Sequence, residues 1–527
     1  EPVGRRLARG TAVVMLAMKL LLAAAGPAGG LRLLPLAYDD WDTGHELPDL
    51  VDGRLFGDTI FARVENRGGG VRRGVTLSVE GDGEYLEASA GAPVDLQPGQ
   101  RTSVHAPLRQ RRRVPAEACP LNVVLVLAAE GQPEVTKEYR LLCRKIDDRF
   151  SFVYLDADGS PQLAAAKFPQ VSPKTKVPQC PKRGCAVLLS THGMDVTAQR
   201  QADCYRPKQG VWVLAPHGRG THGFNWQGPG HWSALAALDA LANRAAAWTE
   251  GRLALSTPYR VIFTGHSNGG FGAWFFGTHY PDMALGVAPL AGMATMGTTE
   301  VRRPAGVADS LWRVIDSTVE EYRGERLAGN VLGLPFMART GAEDRVIDPR
   351  STRRMASLLQ DAGVDWDEKR SRKGVKLVGK NADATVVELA GKEHWWWDSQ
   401  QENDGGVMDD PQMRSFWKRA LATEAGGSVG DAAVHFACAN PASCGSRRGV
   451  RMLQQSLPGL RSSEFTLRRG EEGGWQLRTV NLARLRVDGA GLSGSAEPLA
   501  IEIDGGRFES PPNETVFCRD EEAQWHL

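Results

Sequence analysis

Three short stretches of the chain carry residue types that together can transfer an acyl group. Gly265-His266-Ser267-Asn268-Gly269-Gly270 directly follows the apolar run Arg260 to Thr264 and precedes a helical stretch from Phe271 to His279. A serine on a strained strand-to-helix turn needs neighbours without Cβ two residues away on either side, and the helix start then faces developing negative charge. Ser267 is therefore the candidate nucleophile. A serine hydroxyl attacks well only when a base takes its proton, and the base needs an acid to hold its tautomer. The turn Arg339-Thr340-Gly341-Ala342-Glu343-Asp344-Arg345-Val346-Ile347 offers Asp344 as that acid, with Glu343 and Asp348 as neighbours that also read as solvated loop carboxylates. Ala390-Gly391-Lys392-Glu393-His394-Trp395-Trp396-Trp397-Asp398 offers His394 as the base. Between Ser267 and the C-terminal region the other histidine is His279, on the helix behind the nucleophile. The tryptophans Trp395 to Trp397 read either as a substrate wall or as packing.

The negative oxygen of a tetrahedral intermediate needs two backbone donors. One is the N–H of Asn268, immediately after the nucleophile. The other is expected from the loop after an earlier strand, Thr191-His192-Gly193-Met194-Asp195, where Met194 is the candidate donor. His192 reads better as a loop-shaping side chain than as a base. His217-Gly218 and His222-Gly223 are rival turns that follow the next strand and are less well placed.

These loops need a rigid frame, and the pattern from about Phe150 onward supplies one. A hairpin is expected from Phe152 to Leu155 and Gln162 to Phe168, across the turn Asp158-Gly159. Continuous apolar runs follow at Cys185 to Ser190, Val211 to Ala215, Arg260 to Thr264, Met283 to Leu290, Leu334 to Ala338 and Thr385 to Leu389, the mark of buried parallel strands. A helical stretch from His231 to Trp248 places Leu235, Leu238, Leu241 and Ala245 near one face. Strand alternating with helix implies a doubly wound, mostly parallel sheet with right-handed crossovers. Before it, short alternating strands such as Thr59 to Val64 and Val75 to Val79 predict an all-β, immunoglobulin-like sandwich. After about Gly426 strands return, as in Gln476 to Val480 and Leu499 to Ile503. The expected organisation is a leader at 1–30, a β-sandwich module at 35–148, an α/β catalytic domain at 149–425 and a β-rich C-terminal module at 426–527.

The elbow at Gly265 to Gly270, the turn Thr340-Gly341-x-x-Asp344-x-x-Ile347 and the loop Lys392-Glu393-His394-Trp395 resemble the catalytic domain of the prolyl oligopeptidase family of serine peptidases, an α/β-hydrolase family. The resemblance covers roughly residues 150 to 425. It implies the order Ser267, Asp344, His394 for the triad, and a peptidase activity. Thr340 stands where that family often has His, and a basic insertion from Lys369 to Lys373 lengthens the approach to His394. Many members carry an N-terminal propeller. A sandwich in that place looks more like secreted relatives that share the catalytic domain with esterases and polyester depolymerases, so a carboxylic ester hydrolase is the alternative. A non-catalytic binding scaffold is the second alternative.

Composition narrows the partners. Lys and Arg number 63 against 62 Asp and Glu in 527 residues, so no field of one sign is available to hold nucleic acid or an anionic membrane surface. A peptide or ester substrate is the expected partner, with membrane contact at most through the leader. No phosphate-cradling loop or metal-ligand spacing occurs, and no cofactor is expected. Arg5, Arg6 and Arg9 before the apolar run Ala12 to Ala25 read as a secretory signal, with a membrane anchor as the alternative. Eight cysteines without CxxC spacing favour disulfides in an exported protein. Cys119 and Cys143 lie equally far from Gly131 on facing strands, and Cys438 with Cys444 would close a small loop. The sequon Asn513-Glu514-Thr515 is consistent with export.

Overall fold

The computed structural model describes residues 30–34, 47–81, 83–87, 89–220, 226–295, 303–394, 408–423, 425, 433–457, 462–470, 474–493, 498–510 and 513–527. The expected leader, apart from Gly30, lies outside the described residues, as do His222, Gly223 and the tryptophans Trp395 to Trp397. Contacts divide the chain into two compact units, Glu1–Lys145 with Phe152–Pro161, and Ile146–Ser151 with Gln162–Leu527.

In the first unit the longer strands are Thr59–Asn66, Arg72–Gly81, Arg101–Pro107, Leu121–Ala128 and Val135–Leu141. Their alternation puts Val75, Leu77, Val79, Val123, Leu125 and Leu127 into one core, as a sheet with one covered face requires. Leu121–Ala128 pairs antiparallel with Val135–Leu141 in a register that runs from Leu121 opposite Leu141 to Leu127 opposite Val135. That register brings Cys119 and Cys143 to a Cα separation of 6.0 Å, where they form a disulfide.

The second unit is built on one mixed sheet. Its strands are β1 (Pro161–Lys167), β2 (Ala186–Thr191), β3 (Val211–Pro216), β4 (Val261–His266), β5 (Ala284–Leu290), β6 (Phe336–Gly341), β7 (Trp366–Ser371), β8 (Gly374–Gly379) and β9 (Ala384–Leu389). The spatial order is β1-β3-β2-β4-β5-β6-β9-β8-β7, and the neighbours from β3 through β9 are parallel. Every residue of β2, β3, β4, β5 and β6 is buried, which is why these strands read as unbroken apolar runs. The helices are α1 (Ala198–Asp203), α2 (Pro229–Trp248), α3 (Asn268–His279), α4 (Asp309–Glu320), α5 (Arg350–Asp361) and α6 (Pro411–Ala422). On α2, Leu238, Leu241 and Ala245 are buried as the periodicity requires, and Leu235 is half-buried. The basic insertion at Lys369 to Lys373 is the tip of the antiparallel hairpin β7–β8, which extends the sheet beyond β9 with its charges in solvent.

The strands after residue 433 belong to the same compact unit. One five-stranded sheet contains Val434–Cys438, Ser463–Arg469, Trp475–Val480, Leu499–Ile503 and Gly506–Ser510, and a second contains Ser446–Arg447, Val450–Gln455, Leu482–Asp488, Glu514–Arg519 and Trp525–His526. Phe436, Leu467, Leu477, Leu485 and Phe517 form their core. Cys438 and Cys444 are joined, and so are Cys180 and Cys185, a pairing that the spacing alone does not single out. Cys204 and Cys518 remain thiols, so the even cysteine count does not mean complete pairing. No helix among the described residues is long and apolar enough to cross a membrane.

Candidate active site

Ser267 sits between β4 and α3 at φ 61° and ψ −122°, a left-handed backbone that a non-glycine residue adopts only where its surroundings enforce it. The surroundings are visible in the glycines. A Cβ on Gly265 would lie 2.4 Å from the carbonyl oxygens of both Gly269 and Thr191, and one on Gly269 would lie 1.9 Å from the Thr191 oxygen. Gly270 is equally confined, with the Leu290 carbonyl oxygen 2.6 Å from where its Cβ would be. The glycines therefore let β2, β4, β5 and α3 converge at the serine. Thr191 is the hub, its Oγ1 donating to the Gly269 carbonyl at 2.6 Å in a contact shared with the Thr264 carbonyl at 3.0 Å. The order of strands and this strained turn between strand and helix are those of an α/β-hydrolase fold.

Asp344 follows β6 and is buried. Its Oδ1 accepts hydrogen bonds from the backbone N–H groups of Val346 and Ile347, both at 2.9 Å, leaving Oδ2 to accept from His394 Nδ1 at 2.8 Å. Two donors on one carboxylate oxygen fix the plane of the group and hence the direction of the other oxygen. Across the imidazole, His394 Nε2 lies 3.0 Å from Ser267 Oγ. With Nδ1 donating to the carboxylate, Nε2 is free to accept the serine proton. Glu343 is exposed, and Asp348 accepts from the backbone N–H and the Nε of Arg350, so neither neighbour reaches His394.

The turn and the loop that carry Asp344 and His394 are joined by main-chain contacts. The Glu343 N–H donates to the Lys392 carbonyl at 2.9 Å, and a Cβ on Gly341 would lie 2.3 Å from that same oxygen. Gly341 thus allows two backbones to touch, a role that the Thr340-Gly341 motif alone does not reveal.

Asn268 is the first residue of α3, so its N–H is among the donors left without a partner inside the helix. The loop after β2 approaches from the other side: a Cβ on Gly193 would lie 3.4 Å from Ser267 Cβ. Met194 follows with its side chain half in solvent. His192 is buried, with Nδ1 2.8 Å from the Gly193 carbonyl oxygen and Nε2 3.0 Å from the His217 carbonyl oxygen, and Trp226 Nε1 donates to the His192 carbonyl at 3.0 Å. It faces main chain on both sides and shapes the loop; burial lowers its pKa below the ordinary histidine value. His217 is pushed down to about 3 by burial, with the neighbouring His192 second. His279 lies behind the elbow, its Nδ1 2.8 Å from the Phe275 carbonyl oxygen.

Among the described residues no group of His, Cys, Asp or Glu side chains is arranged to hold a metal ion. Sequence reasoning singled out Ser267, Asp344, His394, Asn268 and Met194; it did not assign a role to Thr191, Gly341 or His266. The repeated glycines of the elbow signal a close approach without naming the strand that approaches.

No family model matches this chain. It is 26% identical over 277 residues to a protein of Arthroderma benhamiae described as an uncharacterized secreted protein, a match over 50% of this chain and 26% of that one. The chain thus spans about a quarter of that relative's length. Similar solved structures include a Mycobacterium tuberculosis puromycin-hydrolyzing peptidase, with TM-score 0.36, 15% identity and coverage of 76% of this chain and 57% of that one. An S-formylglutathione hydrolase from Agrobacterium tumefaciens gives TM-score 0.31, 16% identity and coverage of 52% and 95%. Est1E from Butyrivibrio proteoclasticus gives TM-score 0.31, 13% identity and coverage of 51% and 98%. Likeness at this level speaks to no activity.

Proposed function

We propose that this chain is a serine hydrolase that works through an acyl-enzyme. The observation that carries the reading is the unbroken line from Asp344 Oδ2 through His394 to Ser267 Oγ, with separations of 2.8 Å and 3.0 Å. In this mechanism Ser267 Oγ attacks the acyl carbon while its proton passes to His394 Nε2, and Asp344 stabilises the imidazolium and holds its orientation. The N–H groups of Asn268 and Met194 receive the oxyanion. His394 then returns the proton to the leaving group, and water attacks the acyl-enzyme by the same route in reverse.

We assign the leaving group as an amine, making the chain a serine-type peptidase, on the resemblance of the elbow, the acid turn and the base loop to the prolyl oligopeptidase family. An ester differs only in its leaving group, so a carboxylic ester hydrolase is the outcome the assay must separate. A non-catalytic scaffold would need no alignment of these side chains. The strands of the first unit and those after residue 433 are read as sandwich-like modules flanking the catalytic domain. Three disulfides and the exposed Asn513 of the sequon support a secreted protein.

The experiment is labelling of the purified chain with a fluorophosphonate probe, beside Ser267→Ala and His394→Ala, followed by peptide and ester panels. Labelling of the wild type that disappears in both variants is expected. A folded wild-type protein that does not label would refute the reading, and turnover of esters alone would move the assignment from peptidase to esterase.

A further inference from the structure

His266 occupies the variable position before the nucleophile, where the glycine spacing of the elbow places no demand on the side chain. It is buried, and its ring centroid lies 4.7 Å from that of His394, with the planes tilted by 38°. A ring N–H of His266 donates to the main-chain carbonyl of His394 itself. Its own carbonyl oxygen faces Gly193, 3.2 Å from where a Cβ on that residue would be, so one residue abuts both the loop after β2 and the loop after β9. The loop carrying His394 is also held by the contacts of Gly341 and Glu343 with the Lys392 carbonyl and by the Ala390 N–H, which donates to the Lys373 carbonyl at 3.1 Å.

We propose that His266 is a positioning residue for the candidate base: its ring N–H tethers the main chain of His394, and its ring wall sets the tilt at which Nε2 meets Ser267 Oγ. The inference rests on the serine-hydrolase reading. Asp344 fixes the imidazole from the side of Nδ1, but one hydrogen bond leaves the ring able to pivot about that contact and to carry its backbone along. The His266 tether removes the second freedom at the residue's own carbonyl. Burial, with the neighbouring His394 second, holds the His266 ring well below the ordinary histidine range, so it stays a neutral wall when His394 takes up a proton. A second positive charge at 4.7 Å would oppose that protonation. The tether acts on geometry at the transition state more than on substrate binding, so its loss is expected in kcat.

The test uses three variants of the full chain. His266→Phe keeps a ring wall without a donor, whereas His266→Asn and His266→Gln each present an amide N–H near the place of one ring nitrogen. The readouts are the second-order rate of fluorophosphonate labelling and the kcat and KM for p-nitrophenyl acetate, with thermal unfolding as the control for folding. His266→Phe is expected to label about tenfold more slowly, with kcat lowered and KM unchanged, and one of the two amides to recover to within about threefold of wild type. Wild-type labelling by folded His266→Phe overturns the proposal, and so does equal slowing of all three variants, which would show that neither a replaced N–H nor a retained ring wall restores the rate. Should His266→Phe not fold, the two amides decide: a difference between them supports the tether, and identical rates refute it. A wild-type chain that does not label at all refutes the serine-hydrolase reading itself, a result distinct from any of these.

Discussion

Gly341→Ala tests whether the acid turn and the base loop act as one piece. The added Cβ would lie 2.3 Å from the Lys392 carbonyl oxygen, where separations below 3.0 Å essentially never occur, so the backbones must part by at least 3.0 − 2.3 = 0.7 Å. Lys392 stands two residues before His394, and its carbonyl is also the acceptor for the Glu343 N–H at 2.9 Å. The displacement therefore enters the Asp344-to-His394 arrangement from both sides. A misplacement on the order of 1 Å costs up to about 10²-fold in a well-aligned reaction. We expect Gly341→Ala to slow fluorophosphonate labelling and p-nitrophenyl acetate hydrolysis by about 10 to 100-fold, or ~1.4 to 2.7 kcal/mol in the barrier. Overpacking also destabilises, typically by about 1 to 3 kcal/mol, so urea unfolding is measured in parallel. Gly329→Ala is the control, since nothing lies within 4 Å of its added Cβ and its φ is not positive. A folded Gly341→Ala that reacts at the wild-type rate would show that the Lys392 contact does not govern the placement of His394.

Three further outcomes follow from particular contacts. Asp344→Asn can keep its amide oxygen on the Val346 and Ile347 N–H groups, which turns an NH₂ toward His394 Nδ1, forces the proton onto Nε2 and should lower kcat by about 10⁴ with little change in melting temperature. Asn330→Ala removes donors and an acceptor to the Thr278 carbonyl, the Ala437 carbonyl and the Ala437 N–H, and a loss of about 3 kcal/mol in urea unfolding is expected at roughly 1 kcal/mol per bond. His231, whose pKa burial pushes down to about 3, binds a proton more readily when unfolded, where its value is about 6.5. Its contribution to stability is whole above pH 6.5 and is lost as pH falls toward 3, so between pH 6 and 4 the wild type should lose about 1.4 kcal/mol per pH unit more than His231→Gln. Equal slopes in urea titrations at those pH values would contradict this.

The frame of the second unit was legible because its strands are buried on both faces: the apolar runs at 185–190, 211–215 and 260–264 each appear as a strand within a residue or two of their expected ends. The same holds for Ser267, Asp344 and His394, which local signals placed on loops at strand ends and the sheet then brought together. What stayed hidden depends on partners far away in the chain. Little in the sequence at 366–371 marks a strand, because β7 (WDEKRS) is charged and exposed at its tip, and its pairing with β8, which pairs with β9, supplies the reason to be extended. Thr191 meets Gly269 from 78 residues away, and Gly341 meets Lys392 through a carbonyl that any residue would provide. Backbone-to-backbone contacts of that kind leave no trace in residue type beyond a glycine on one side.

The segments after residue 433 meet distant partners of the same kind. Every residue of α3 is buried, although a helix beside a sheet ordinarily keeps a wet face. Its far end explains the excess: the Gly445 N–H donates to the His279 carbonyl at 2.8 Å, Asn330 bridges the Thr278 and Ala437 carbonyls, and the Arg448 and Gly449 N–H groups donate to the two carboxylate oxygens of Asp282 at 2.7 and 3.0 Å. The first four N–H groups of a helix point at its N-terminal site, and the last carbonyls need partners elsewhere. In α3 the Thr278 carbonyl is met by Asn330 and the His279 carbonyl by the Gly445 N–H, while the glycines at the first turn are met by Thr191 and Leu290. The helix behind Ser267 is thus clamped at both ends by segments more than a hundred residues apart.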